Sequence, residues 1–121
     1  MANPNIVNVT SIYGKTSLTA LTTSYQEVVF NDFSSNKVYK VNAIIAGNVD
    51  GSASADVTVR VKHRNGEQFG ALASTISVPA DSTLVVLDKN TSIYLEEGWA
   101  IEALASASGD IQLTVSYEEI A

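Results

Sequence analysis

The apolar and polar positions of this chain recur with a period of two, and no segment carries the 3.6-residue period of a helix. The clearest run is residues 56–63, where Val57, Val59, Val61 and His63 fall on one side and Asp56, Thr58, Arg60 and Lys62 on the other. That is the pattern of an antiparallel strand with one face covered and one wet. Ile111, Leu113, Val115 and Tyr117 alternate in the same way with Gln112, Thr114, Ser116 and Glu118 after a Gly109-Asp110 turn, which predicts a last strand running almost to the C-terminus. Residues 78–105 pack three β signals between turn signals. Residues 84–87 are an apolar run bounded by Pro79-Ala80-Asp81-Ser82 and Asp88-Lys89-Asn90-Thr91, and read as a strand buried on both faces. Ile93-Tyr94-Leu95 is the second. Glu96-Glu97-Gly98 then turns the chain at a residue free to take positive φ, after which Trp99, Ile101, Ala103 and Ala105 point one way and Glu102 the other.

The remaining segments complete an all-β plan. Residues 6–13 predict a strand of imperfect alternation, Gly14-Lys15 a turn, the Ser/Thr-rich residues 16–23 a further strand, and residues 26–30 a short one. Residues 31–36 read as a loop. Residues 37–46 read as a long strand with Val38, Val41, Ile44 and Ile45 inward. Asn65-Gly66 is the sequence of a type I′ hairpin, so residues 69–78 are expected to return beside residues 56–63. Eight or nine short strands at intervals of about ten residues describe an antiparallel, jelly-roll-like β-sandwich. It is expected to be one domain over residues 6–121, preceded by a polar arm at residues 1–5.

Composition narrows what such a sandwich does. Thirteen acidic against seven basic residues give a formal charge of -6, which argues against nucleic acid and anionic membranes as partners, since both select clustered positive charge. The chain has no Cys, so neither disulfides nor thiolate metal sites are available. The first residues show no basic and apolar export signature, and assembly in a cytoplasm is expected.

Candidate chemistry is sparse. His63 is the only histidine, so no His cluster or Ser-His-Asp arrangement can be built from two of them, and a hydrogen-bonded structural role is expected on its valine face. Glu96, Glu97 and Glu102 gather near the Gly98 corner in sequence; a glycosidase pair would need a deep cleft as well, so an acidic rim is the reading. Asp88, Asn90 and Thr91 follow no ordered calcium-ligand spacing and read as turn residues. No catalytic, cofactor or metal site is predicted. Trp99, the only tryptophan, is read as a core plug or interface anchor, with an exposed stacking platform for sugar, shared with Tyr94 or Tyr117, as the alternative. Arg60, Lys62 and Arg64 form a small basic stripe able to dock an acidic partner. The arm, through Asn3, Pro4, Asn5, Ile6, Val7 and Val9, is the other interface candidate, because Pro4 and the asparagines suit strand addition to a neighbour better than a central sheet position.

Several stretches carry a resemblance: Pro4-Asn5-Ile6-Val7-Asn8-Val9 with Ile12-Tyr13-Gly14-Lys15-Thr16, residues 78–86, Asp88-Lys89-Asn90-Thr91, Ile93-Tyr94-Leu95-Glu96-Glu97-Gly98, and the closing Ser116-Tyr117-Glu118-Glu119-Ile120. Together they resemble a group of small structural proteins of marine tailed phages, especially cyanophages. Trp99 departs from that group, which usually carries a polar residue, often Asp, after the glycine. The resemblance implies a non-enzymatic virion protein, assembled in the host cytoplasm. The expectation it supports is a capsid decoration or cement protein that binds the major capsid protein or another virion protein, forms homo-oligomers with a trimer favoured, and uses no cofactor. A neck, tail or fibre-associated protein is the alternative within the virion, and a carbohydrate-binding module the alternative outside it.

Overall fold

The computed structural model describes residues 4–66 and 68–121. Among them nine strands follow one another: β1 Ile12–Ala20, β2 Gln26–Phe30, β3 Val38–Asn48, β4 Ala55–His63, β5 Phe69–Val78, β6 Thr83–Leu87, β7 Ile93–Leu95, β8 Trp99–Ala105 and β9 Ile111–Ile120, with a 3₁₀ turn at Lys89–Thr91. They form two antiparallel sheets, one in the order β1-β9-β3-β6 with β7 also on β3, the other β2-β8-β4-β5. β6 and β7 pair with successive parts of β3, Ile44 to Gly47 and Tyr39 to Val41, and so act as one strand interrupted by the 3₁₀ turn. Asp88 makes that interruption: its carboxylate accepts from the backbone N–H of Asn90 and Thr91 at 2.9 and 3.2 Å, a capping box that satisfies the turn's orphan donors. Counted that way, eight strands form two four-stranded sheets in jelly-roll order, the chain changing sheet at every connection except the β4–β5 hairpin.

The core is what the period-two pattern dictates. Val57 and Val59 of β4, Ile101 and Ala103 of β8, Val41 and Ile44 of β3, and Leu113 and Val115 of β9 are fully buried and share one apolar cluster. Each Val, Leu or Ile so buried favours folding by about 1.5–3 kcal/mol.

Five local expectations are corrected. Residues 84–87 are not buried on both faces, because β6 is the edge of its sheet and Val85 stands 57% exposed; an apolar run of that length does not distinguish a central strand from an edge one. Gly14-Lys15 is not a turn: β1 runs straight through it in register with Glu118 and Tyr117 of β9. Residues 6–11 lie outside the strand, since the Asn5 side chain and carbonyl accept from Val7 N–H and Asn8 N–H, both at 3.0 Å, and close a turn there. Asn65-Gly66 does not form a type I′ turn, as neither residue has positive φ; β4 and β5 do pair, but through residues 64–68. In β3, Ile45 is also turned outward at a register shift beside Ile44, whereas Val38, Val41 and Ile44 are buried.

Candidate functional site

The basic stripe is real in position and cancelled in charge. Arg60, Lys62 and Glu102 lie on the outer face of the β2-β8-β4-β5 sheet, where Glu102 of β8 is paired directly with Glu27 of β2 on one side and Arg60 of β4 on the other. Two carboxylates facing each other across a ladder repel, and Lys62 relieves this by reaching both, at 2.9 Å from Glu102 and 3.3 Å from Glu27. Arg60 donates to Glu102, and Arg64 grips Glu27 with two nitrogens, Nε at 2.9 Å and Nη2. The guanidinium of Arg64 and then the ammonium of Lys62 hold the Glu27 carboxyl below its usual range against the opposing effect of burial, while Glu102 is the first cause holding the Lys62 ammonium above its own. Arg60 is also sandwiched between the rings of Tyr25 and Phe69, 3.8 and 4.1 Å from their centroids, and Arg64 lies 3.6 Å over Phe30. The three bases are thus bound by this chain's own acids and aromatic rings, and Glu102 is a buried ion-pair partner, not part of an acidic rim.

The Gly98 corner is built from rings. Gly98 has φ +86 and sits at the third position of a turn closed by Trp99 N–H donating to the Glu96 carbonyl at 3.1 Å. Trp99 is paired across the ladder with His63, ring centroids 4.9 Å apart and edge to face, and Phe33 packs on His63 with Phe30 behind it. His63 is therefore structural, held by packing. Trp99 is half-buried against the core, and with Val61, Leu72, Ile93, Tyr94 and Glu96 it walls a hollow of 280 Å³. Tyr94 is brought to Trp99 and Tyr117 is not: Tyr117 stacks on Tyr39 at 5.4 Å. Glu97 turns away and accepts the Asn36 N–H. The three carboxylates near the corner thus do different things and assemble no acid-base pair. Among the described residues no group of three His, Asp or Glu side chains gathers to hold a metal ion.

The open side of the sandwich, between the edge strands β5 and β6, is a second candidate. A hollow of 360 Å³ lies there, walled by Ala71, Leu72, Ser74, Leu84 and Val86. It shares Leu72 with the Trp99 hollow, which in turn shares Tyr94 and Glu96 with a third hollow of 270 Å³, closed by Pro4, Ile6 and Val38. Of the arm candidates, Asn3 lies outside the described residues. Pro4 and Ile6 touch the end of this groove, Val9 is half-buried, Asn5 makes the turn, and Val7 is 90% exposed.

Two buried asparagines carry no local mark in the sequence: Asn31 reads as a loop residue, and Asn48 is not singled out. Asn31 and Asn48 are buried, and each ties the two sheets together at one end of the sandwich. The Asn31 amide donates to the carbonyls of Leu95 and Lys37, both at 2.9 Å, and the Asn48 amide to those of Val78 and Ala53 at 2.9 and 3.0 Å. Only their positions, directly after β2 and at the end of β3, carried a signal. Buried carbonyls at strand ends need a donor, and a short amide supplies two.

No protein-family model matches the chain, and no curated protein matches it either. Among solved structures, it is similar to a chain from the Bacillus endospore appendages, a family of disulfide-linked pili, with 15% identity and a TM-score of 0.50 over 92% of this chain and 88% of that one. At that identity the likeness shows the fold.

Proposed function

We propose that this chain is a non-catalytic structural subunit that assembles with copies of itself, and that its finer role is that of a virion exterior protein of the decoration type. The observation that carries the self-assembly reading is where the charge is missing. In a chain of net charge -6, residues 1–14, 68–80 and 82–87 contain no charged side chain, and these stretches supply the arm, all of β5 and all of β6. Like-charged copies repel except where such surfaces meet, and apolar side chains stand exposed on them: Val7, Ile12, Phe69, Ile76 and Val85. The pilus likeness supports a subunit role by analogy of fold only; with no Cys in its 121 residues, copies of this chain would have to be held by non-covalent contacts. The phage reading rests on the sequence resemblance at the two ends and around the Gly98 corner.

A second reading, a sugar-binding module, is favoured by one observation: Trp99, Tyr94 and Glu96 line the same hollow. Two measurements separate the readings. Light-scattering mass against concentration, with electron microscopy of the concentrated sample, is expected to show ordered oligomers of the full chain, and a monomer at every concentration overturns self-assembly. Trp99 fluorescence is expected to be blue-shifted and indifferent to a panel of glycans, and a red-shifted emission quenched by one of them overturns the structural reading in favour of the second.

A further inference from the structure

We propose that the groove between β5 and β6 is the acceptor for the N-terminal arm of a second copy, which enters it in extended form and adds to the free edge of β6. This rests on the self-assembly reading above and gives it a donor and an acceptor. Both walls are edge strands, so the outward N–H and C=O groups of β6 have no partner in its own sheet. β5 is less available: Thr75 has φ +51, and the ladder to β4 shifts register between Val57 and Val59, a bulge that blunts an edge in the way edge strands are ordinarily guarded. β6 also shifts register against β3, between Ile44 and Ile45, but it has no residue of positive φ, no proline and no charge. A strand added there would lie over Ala71, Leu72 and Ser74 of β5.

A partner rich in either charge would leave that charge unpaired against an apolar, charge-free lining; the arm has no charge to leave. Extended, it places Val7 and Val9 on one face, two residues apart, which is the spacing of side chains that an added strand offers to a groove. The chain's own arm already touches the far end of the groove through Pro4 and Ile6, while Val7 is left in solvent. No arm residue among those described lines the 360 Å³ hollow between β5 and β6, which leaves it to another copy. Moving into it requires opening the Asn5 turn, whose hydrogen bonds to Val7 and Asn8 are exposed or local and are replaced by ladder bonds to β6.

Because the chain has no Cys, single cysteines report the contact directly. Full-length Val7→Cys and Ser74→Cys proteins, mixed in equal amounts and joined with a short thiol crosslinker, are expected to give the mixed dimer as the dominant species, and both positions are exposed, so folding is retained. In parallel, Val7→Asp and Ala71→Lys, each on an otherwise native chain, are expected to shift the association midpoint at least tenfold to higher concentration with an unchanged circular dichroism spectrum. If the native chain assembles but the crosslink yields only Ser74–Ser74 or Val7–Val7 dimers, or neither charged variant weakens association, the arm-in-groove contact is wrong and self-assembly stands. A native chain that never associates overturns both.

Discussion

Gly98 and Gly109 form a matched pair that isolates one energetic effect. Their φ angles are nearly the same, +86 and +85, so replacing either by alanine imposes the same left-handed backbone penalty of roughly 1–2 kcal/mol. Their surroundings differ completely. A Cβ at Gly109 meets nothing within 4 Å, whereas a Cβ at Gly98 would lie 2.6 and 2.9 Å from two atoms of the Phe33 ring and 3.1 Å from the His63 ring. Those rings are wedged against Phe30 and Trp99 and cannot swing without disturbing the corner. Overpacking of this kind adds about 1–3 kcal/mol. Gly98→Ala should therefore lose roughly 2–5 kcal/mol in urea unfolding and Gly109→Ala roughly 1–2. Trp99 fluorescence is the probe for both, with an unchanged slope required for the comparison. Equal losses would refute the reasoning: they would mean that Phe33 moves aside freely and that the corner is not close-packed.

Other perturbations test the rest of the frame. Glu102→Ala should destabilise by about 1–3 kcal/mol, less than a fully buried broken pair, because Arg60 and Lys62 are 27% and 23% exposed and Lys62 retains Glu27; Glu102→Gln, which keeps an acceptor for Arg60, should lose less in the same chemical denaturation. Glu27 has a lowered pKa, so its contribution is present above the usual 4.5 and is lost as pH falls below it; thermal melts of Glu27→Gln should show a shallower acid decline than the native chain. Tyr39 is pushed up to about 12, first by burial and then by Glu119, so its contribution is intact below pH 10 and lost as pH rises towards 12; Tyr39→Phe should flatten that alkaline decline. Asn31→Ala and Asn48→Ala each orphan one buried carbonyl, of Leu95 or Val78, and one less buried one and should each destabilise by roughly 1–3 kcal/mol, and Asn31→Asp, which sets a carboxylate against those carbonyls, should be no milder when measured in urea.

Strands with a strict alternation were legible because one buried face is enough to specify them: β4, β8 and β9 are where the pattern puts them, and β5 begins at Phe69 and ends at Val78 as expected. What failed was edge against centre. Residues 84–87 form an edge strand, and an edge is defined by which strand fails to arrive beside it, a fact held nowhere in the local sequence. The turn at Asn65-Gly66 was misread for a related reason, since pairing of β4 with both β5 and β8 sets where the ladder ends and overrides the local turn preference. The basic stripe was half legible. Its spacing along β4 was visible, but the acids that neutralise it come from β2 and β8, and only the strand order brings Glu27 and Glu102 there. Asn31 and Asn48 were invisible as clamps because their partners lie 64 and 30 residues away.

An arm that enters the groove of a neighbour makes a head-to-tail contact, with a different surface used on each side of the interface. Such contacts repeat: every copy that receives an arm still has its own to give. If the rotation from one copy to the next divides a full turn evenly the chain of contacts closes into a ring, and otherwise it continues as a helical fibre. A closed three-copy ring would suit the proposed decoration role and an open fibre an extended assembly, and one interface is compatible with both. The direction in which the arm leaves the body at Thr10 and Ser11, whose N–H groups both donate to the Ala121 carbonyl at 2.7 and 3.1 Å, is expected to select between them. That anchor is short and made directly after β9, so the exit angle depends on Ala121. Removing Ala121 should release the angle without touching the groove. Electron microscopy of that truncation is expected to show mixed ring sizes or irregular fibres in place of one uniform assembly. A truncation that assembles as uniformly as the native chain would place the control of closure elsewhere.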